Sequence, residues 1–510
     1  MTVASVRGPL ALAVLCAAPV VLWSLSVDLD ARFTGTYVTL TSVAVLLALV
    51  GTTAFALDLV LGARLPLVAS LFGGLERMYR VHRLLGQTAF ALLVGHVVLI
   101  LASRASVSTE VALDLLRPGV GWTVFSGVLA FATMAVALVL TLFVRLGHEV
   151  FVYVQRCFGL AFLVASYHVF TTPGAKQGST ALSAYLAGIA TLGISAFGYR
   201  SLLGNLLVLR RRYRVTAVNR LDDCVTEIVM QPLSRRLLFT PGQFVFVNFR
   251  SPALNETLRP LELSLRREVF AVRAGDIRTQ FHPFSITSAP GEPSLRVTVK
   301  ALGDYTRALR RLEPGAAAVV EGPYGSFSHW NAAGSRQIWV AGGIGVTPFL
   351  SMARSLTPDE AVSVDLYYCV EHEAEALFLE ELIALGAERA DFRVRLVARD
   401  EAGFLTGRRI AAECEDLEAA DVFICGPPAM LDSLRGQLRA EGVRRERIHA
   451  EEFGFARVGR TSTERGDVGG AITPSRSERK LLAALGATAF AGPFLGLVVV
   501  VTAYAASRVW

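Results

Sequence analysis

Tyr79–His96, YRVHRLLGQTAFALLVGH, is apolar enough for a membrane yet carries two histidines. His82 and His96 lie 14 residues apart. On a helix they fall within roughly 40° of each other on one face, separated by a rise of about 21 Å. That rise is a large part of a hydrocarbon core roughly 30 Å thick. Ionisable side chains inside a membrane are costly and tend to be functional. A lone histidine there can simply join two helices by a hydrogen bond. Two on one face, one towards each leaflet, point to cofactor ligands, and neutral imidazole is a standard axial ligand of haem iron.

Working outward, residues 1–205 hold six apolar runs, near 8–27, 36–61, 80–103, 119–144, 150–172 and 181–203. Each is close to the roughly 20 residues a crossing needs. Arg7 precedes the first run, but more apolar runs follow it and no polar domain does, so it reads as a retained helix and not a signal peptide. Arg64, Arg77, Arg80 and Arg83 lie between the second and third runs, Arg145 and Arg156 flank the start of the fifth, and Arg200, Arg210, Arg211, Arg212 and Arg214 follow the sixth. The opposite loops offer Arg32, Arg104, Arg117 and Lys176. This asymmetry predicts a cytoplasmic N-terminus and a cytoplasmic segment after the sixth run. The whole chain of 510 residues is 53% hydrophobic and 18% charged, with a net charge of +7. Ordinary soluble domains are about 25% charged, so this one is too apolar to be soluble throughout. Its six cysteines have no regular spacing, which excludes a disulfide scaffold or zinc module. No nucleic-acid reading motif gathers the positive charge, so nucleic acid is not an expected partner.

From about 213 to 455 the pattern changes to short strands with Gly/Pro punctuation: Phe244–Phe249, Leu295–Lys300, Gln337–Val340, Val362–Val370 and Val422–Cys425. The first part predicts a small antiparallel barrel, the second an alternating α/β parallel sheet. Residues 250–280 interrupt the barrel with Arg250, Arg259, Arg266, Arg267, Arg273 and Arg278. They read as a solvated loop, or as a clamp on anionic lipid or on the membrane domain. A polar linker over 456–480 precedes a seventh apolar run, Leu481–Ala505.

An outer haem ligated by His96 needs a second histidine, and the fifth run supplies His168. The matching inner position is Gln155, while His148 lies 20 residues before His168 and overshoots to the cytoplasmic interface. On a straight helix residues 155 and 168 point about 140° apart. The 79–96 stretch and RLGHEVFVYVQRCFGLAFLVASYH (145–168) resemble helices three and five of the flavocytochrome b family of NADPH oxidases and ferric-chelate reductases. That family normally has His before Arg where this chain has Gln155–Arg156. The resemblance implies an outer haem b on His96 and His168 and an inner one on His82. Gln155 leaves three outcomes for the inner site: a five-coordinate haem, a weak sixth ligand, or no haem.

The soluble half continues the resemblance in order. HPFSITS (282–288) is similar to the flavin motif of ferredoxin-reductase-like domains. By that resemblance His282 approaches the FAD pyrophosphate or ribityl chain, Phe284 packs on the isoalloxazine, Ser285 donates near N5, and Pro283, Thr287 and Ser288 complete the site. In KALGDYT (300–306), Lys300, Gly303 and Thr306 match a second phosphate-binding turn, and EGPYGSF (321–327) closes the barrel. VAGGIGVTPF (340–349) is a strand, a glycine turn and a helix start, with Gly342, Gly343, Gly345, Thr347 and Pro348 suited to a dinucleotide phosphate. In CGPPAM (425–430), Cys425, Gly426 and Pro427 would face the nicotinamide, and in EEFGF (451–455) Phe453 would cover the flavin. The catalytic residues so implied are Phe453, Cys425 and Ser285. Glu371 and His372 follow strand Val362–Val370 where relatives often carry arginine, and Arg399 is the nearest alternative clamp, so NADH is expected over NADPH.

The expected fold is a multi-domain membrane protein. It comprises an all-α six-helix transmembrane haem bundle (1–205), an antiparallel β-barrel FAD domain (213–332), an α/β parallel-sheet NAD(P)-binding domain (333–455), the linker (456–480) and a C-terminal transmembrane helix (481–510). The expected function is electron transfer in the plasma membrane, from cytoplasmic NAD(P)H through FAD and haem b to O2, giving superoxide, or to a ferric chelate at the outer face. One alternative is an electron-feeding subunit for a protein partner, docked through the C-terminal helix, or for a quinone. Another is a transporter with a degenerate reductase tail. The absence of a D-x-[DN]-x-[DN]-G loop argues against calcium gating from this chain.

Overall fold

The computed structural model describes residues 3–26, 28–115, 121–143, 148–172, 179–204, 208–251, 261–265, 268–272, 281–357, 359–389 and 391–452. They fall into two compact units that divide near Val208. Phe453, the linker and the C-terminal apolar run lie outside the described residues.

The first unit is helical. Its long helices are α1 (Val3–Leu25), α2 (Gly35–Gly62), α3 (Leu75–Ala105), α4 (Trp122–Phe143), α5 (His148–Thr171) and α6 (Thr180–Phe197). Five of them, all but α5, contain a stretch long and apolar enough to cross a membrane. The 24 residues of α5 include Glu149, Gln155, Arg156 and His168, which dilute its apolar character. The closest packing joins α2 to α3, α4 to α5, and α6 to α2. Glycines permit it: a Cβ on Gly51 would lie 3.1 Å from Leu93, and one on Gly95 2.9 Å from Leu47. Such small residues let helices approach in lipid, where association depends on packing. Phe55, Phe90 and Phe162 fill the interior between them.

The second unit begins with strands β1 (Arg210–Arg220), β2 (Val225–Pro232), β3 (Phe244–Arg250), β4 (Leu261–Leu265), β5 (Glu268–Val272), β6 (His282–Ser285), β7 (Leu295–Lys300) and β8 (Ala317–Tyr324), with the short helix α7 (Asp304–Ala308) before β8. Six strands form an antiparallel sheet in the order β6-β3-β8-β1-β2-β7. A bridge between Ile286 and Val297 brings its two edges together, so the sheet is nearly closed. Val215, Ile228, Val245, Val247 and Val297 fill its interior. The expected loop over 250–280 is corrected in part, because β4 and β5 pair as an antiparallel hairpin. Leu261, Leu263 and Leu265 alternate as a strand requires, a pattern overshadowed in the sequence by the neighbouring arginines.

Strands β9 (Arg336–Gly342), β10 (Ser363–Val370), β11 (Phe392–Ala398), β12 (Asp421–Gly426) and β13 (Ile448–Glu452) follow, with helices α8 (Thr347–Ser355), α9 (Leu379–Ala387), α10 (Gly407–Glu413) and α11 (Pro428–Ala440). They form a parallel sheet in the order β11-β10-β9-β12-β13. The chain builds outward from β9 in one direction and then crosses to β12 on its other side. Ligands of such sheets bind outside the carboxyl ends of the strands at this switch point. Arg354 on α8 ties sheet to barrel: it donates to the Thr287 carbonyl at 2.6 Å and holds Glu381 on α9 through two nitrogens, at 2.6 and 2.8 Å. Burial works against its charge, but Glu381 raises its pKa further still.

Candidate functional site

Of the four histidines in the helical unit, His82, His96 and His168 have Nδ1 engaged. His96 Nδ1 lies 2.9 Å from the Ala44 carbonyl on α2. His168 Nδ1 lies 2.7 Å from the Thr123 carbonyl on α4. His82 Nδ1 lies 3.1 Å from the Asp58 carbonyl and 2.7 Å from its carboxylate Oδ1. Fourteen residues separate Ala44 from Asp58, as they separate His82 from His96, so antiparallel α2 and α3 keep an even register. A carbonyl or carboxylate on Nδ1 fixes the tautomer that leaves Nε2 to accept a metal. Among the described residues nothing bonds these three Nε2 atoms. His96 and His168 are near enough to interact electrostatically. A Cβ on Gly127 would come within 2.8 Å of the His168 ring, so the glycine gives that ring its place. No cluster of three or more metal-ligating side chains occurs among the described residues; haem asks the protein for at most two per iron. These histidines fit axial ligation.

Gln155 donates from Nε2 to Thr141 Oγ1 at 3.3 Å. Thr141 and Thr123 are 18 residues apart on α4, which is five helical turns. Gln155 and His168 therefore both reach the same face of α4, despite the angle that a straight helix gives them. Sequence reasoning missed Asp58. Its signal was present: it is the one charged residue in the run 36–61, and such residues need a partner.

In the barrel, His282 stacks on Tyr305 with centroids 3.7 Å apart. Burial pushes the Tyr305 phenol up, so it stays neutral at ordinary pH. Phe284, 8% exposed, packs in the barrel core with Val245. Ser285 pairs with Phe244 across the strands. Around Phe244 stands an aromatic cluster with Phe246 and Tyr324, centroids 5.5 to 6.0 Å apart, which the motif did not reveal. The Tyr324 hydroxyl donates to Glu321 at 3.0 Å, and Arg210 holds the other carboxylate oxygen at 3.2 Å. Thr287 Oγ1 is buried without a hydrogen-bond partner among the described residues, as a group awaiting a ligand would be. Thr306 Oγ1 accepts from the N–H groups of Leu302 and Gly303, both at 2.9 Å, and so shapes the turn after Lys300. No atom lies within 4 Å of where a Gly303 Cβ would be, which leaves that turn open.

At the switch point the glycines are required by close approach. A Cβ on Gly345 would lie 2.2 Å from the Cys425 carbonyl, and one on Gly342 3.3 Å from Gly426 Cα. Gly343 has φ +54° and open space around it. Thr347 and Pro348 open α8, and Thr347 Oγ1 donates to the Ile344 carbonyl at 2.9 Å. Cys425 is fully buried, and Pro427 caps α11 beside Gly426. At the far edge Glu371 and Arg399 meet in a salt bridge. His372 Nδ1 lies 2.8 Å from Asp400 Oδ2, and that bond raises the His372 pKa. Glu371 and the alternative clamp Arg399 thus neutralise each other.

A barrel joined to a switch-point sheet defines a flavin- and nicotinamide-dependent reductase, here preceded by a helical membrane unit. Residues 47–166 match the family "Ferric reductase like transmembrane component", 274–328 an "FAD-binding domain", and 339–436 an "Oxidoreductase NAD-binding domain". The chain is 34% identical over 260 residues to ferredoxin–NADP reductase B of Sorangium cellulosum, covering 47% of this chain and 96% of that protein. It is 29% identical over 234 residues to the glycine betaine monooxygenase reductase subunit of Chromohalobacter salexigens, covering 42% of this chain and 56%, about half, of that relative's length. Among solved structures, flavohemoglobin from Malassezia yamatoensis is similar over 72% of this chain and 96% of that one, at 16% identity and a TM-score of 0.42. The chain belongs to the ferredoxin–NADP reductase family, joined to a ferric-reductase transmembrane component in the architecture of the ferric reductase and NADPH oxidase flavocytochromes. It is an oxidoreductase with FAD- and NAD(P)-binding domains and a membrane-embedded part, which sets aside the transporter reading.

Proposed function

We propose that the chain carries electrons from cytoplasmic NADH or NADPH, by way of FAD and haem b, to a small acceptor at the outer face of the plasma membrane, either O2 or a ferric chelate. The observation that carries this reading is the outer pair, His96 and His168, each with Nδ1 committed to a carbonyl and Nε2 left for iron. Bound FAD supplies exchange between two-electron and one-electron chemistry, and bound haem iron supplies a one-electron carrier.

The remaining work belongs to the protein. Gly342, Gly343 and Gly345 let the nicotinamide dinucleotide's phosphates approach the start of α8. Cys425, Gly426 and Pro427 form the wall against which the nicotinamide rests, and Phe453 covers the flavin until it arrives. Ser285 donates towards the reacting edge of the flavin, His282 and the Lys300–Thr306 turn hold its phosphate end, and Arg354 locks the two domains in register. In this reading six helices span the bilayer, with α5 among them, the C-terminal run 481–510 adds a seventh, and the domain limits are those drawn from the sequence.

The test is haem and FAD stoichiometry together with NADH-driven superoxide formation and ferric-chelate reduction in one preparation. The expected result is a Soret band, bound FAD and reduction of at least one acceptor. A purified full chain with FAD but no haem would overturn the reading.

A further inference from the structure

We propose that Asp58 is a positioning residue for an iron ligand, and that the inner haem rests on His82 as a single axial ligand strengthened by that carboxylate. The proposal rests on the haem reading above. The three candidate ligands are not in like company. All three face a backbone carbonyl through Nδ1, but His82 alone has a carboxylate there as well, with Asp58 Oδ1 at 2.7 Å beside the Asp58 carbonyl at 3.1 Å. Either acceptor fixes the tautomer, but a carboxylate also draws on the Nδ1 proton and makes Nε2 a more basic ligand. A more basic ligand favours ferric over ferrous iron.

The surroundings are shaped for this pair. Gly86 lies one turn beyond His82 on α3, and a Cβ there would come within 3.0 Å of Asp58 Oδ2. Gly62 lies one turn beyond Asp58 on α2, and a Cβ there would be 3.7 Å from His82 Cε1. Each partner thus faces a glycine of the other helix. Tyr79 packs edge-on to His82 at 6.2 Å, with Arg64 over its ring at 5.6 Å. A carboxylate in an apolar helix is costly unless paired, and His82 is the partner it has. On α5 the matching position offers an amide already bonded to Thr141. Among the described residues none on α5 offers a second imidazole at this level, so a haem held by His82 would keep an open position and would bind carbon monoxide when reduced.

The test uses the full chain in detergent with its haems in place, followed by redox titration and resonance Raman spectroscopy. Asp58→Asn should raise the inner haem's ferrous-to-ferric ratio at a fixed potential about tenfold, which is 59 mV for one electron. It should also lower the iron–histidine stretching frequency and leave the His96/His168 haem unmoved. Asp58→Glu should restore most of the shift. Where Asp58→Asn loses haem, Gly86→Ala crowds Oδ2 without removing the charge, and a displaced stretching band then supports the role while an undisplaced one overturns it. Wild-type potential and band in Asp58→Asn would overturn the role of Asp58 and leave the haem reading standing. Haem content in His82→Ala equal to that of the wild type would overturn the inner site with the role of Asp58, whereas a wild-type protein without haem would overturn the haem reading itself.

Discussion

The two ends of α3 hold the same residue in different settings. At the outer end His96 gives Nδ1 to a carbonyl of α2 and stands near His168. At the inner end His82 meets a carboxylate, and its counterpart on α5 is Gln155. One helix face therefore presents a paired site and an unpaired one. What differs is which residues the neighbouring helices contribute. The largest expected effect tests the paired end. His96→Ala or His168→Ala should cut reduction of an impermeant outer acceptor on the order of 100-fold or more, while NADH-driven flavin reduction continues. Steady-state assays with an impermeant ferric chelate, alongside stopped-flow flavin reduction, check it. Unchanged haem content and turnover in either variant would remove the distinction between the ends.

The second test sharpens the contrast by abolishing it. Gln155→His supplies an imidazole where the inner end has an amide. Gln155 and His168 both reach α4, at Thr141 and Thr123, so the new ring replaces a side chain on the same helix face. The inner haem should become low-spin, and carbon monoxide binding should weaken about tenfold or more. Electron paramagnetic resonance and carbon monoxide difference spectra read both. A haem count of one per FAD that rises to two in the variant would show that the natural protein carries no inner haem.

Much of the helical unit is legible in the amino-acid sequence alone. The period of the apolar runs locates α1 to α6, because a bilayer demands length and apolar character that few other structures do. His82 and His96 are visible as a pair because helical spacing is simple arithmetic. The glycine turn at Gly342–Gly345 is legible because only glycine fits where an added Cβ would lie 2.2 to 3.3 Å from the neighbouring backbone. The partners are not legible. Asp58 lies 24 residues before His82, and which of the neighbouring helices meets α3 is set by packing. The Glu371–Arg399 bridge joins the ends of β10 and β11, neighbours only after the sheet forms. Phe284 shows a further limit: a motif suggested its role, while its packing with the barrel core is set by strands far apart in sequence.

The soluble unit offers its own contrast of paired and unpaired charge. Glu371 alone would repel a 2′-phosphate, but Arg399 neutralises it. NADH should still be preferred, and Glu371→Arg should move the kcat/KM ratio towards NADPH by about tenfold. The variant replaces a repulsive group with an attractive one and frees Arg399, two changes in one direction. Steady-state kinetics with both cofactors measure it, and a ratio that does not move would place the 2′ position elsewhere. Wild-type preference for NADPH would count against the same assignment.

The smallest effect concerns pH. The hydrogen bond to Asp400 stabilises the imidazolium of His372, and Glu371 and Glu375 add to it, so its pKa stands above the ordinary value of about 6.5. Below that raised pKa the ring is cationic and adjoins the Glu371–Arg399 pair; above it the charge is gone. The kcat/KM for NADPH should therefore fall relative to NADH as pH rises through the His372 pKa. The 2′-phosphate's own second ionisation, near pH 6 by analogy with other phosphate esters, works in the opposite sense but is nearly complete by about pH 7. Because the pair is exposed, the change should be under about threefold and should shrink in high salt. His372→Asn should flatten the NADPH profile and leave the NADH profile as it was. A decline that persists in the variant would assign the titration to another group.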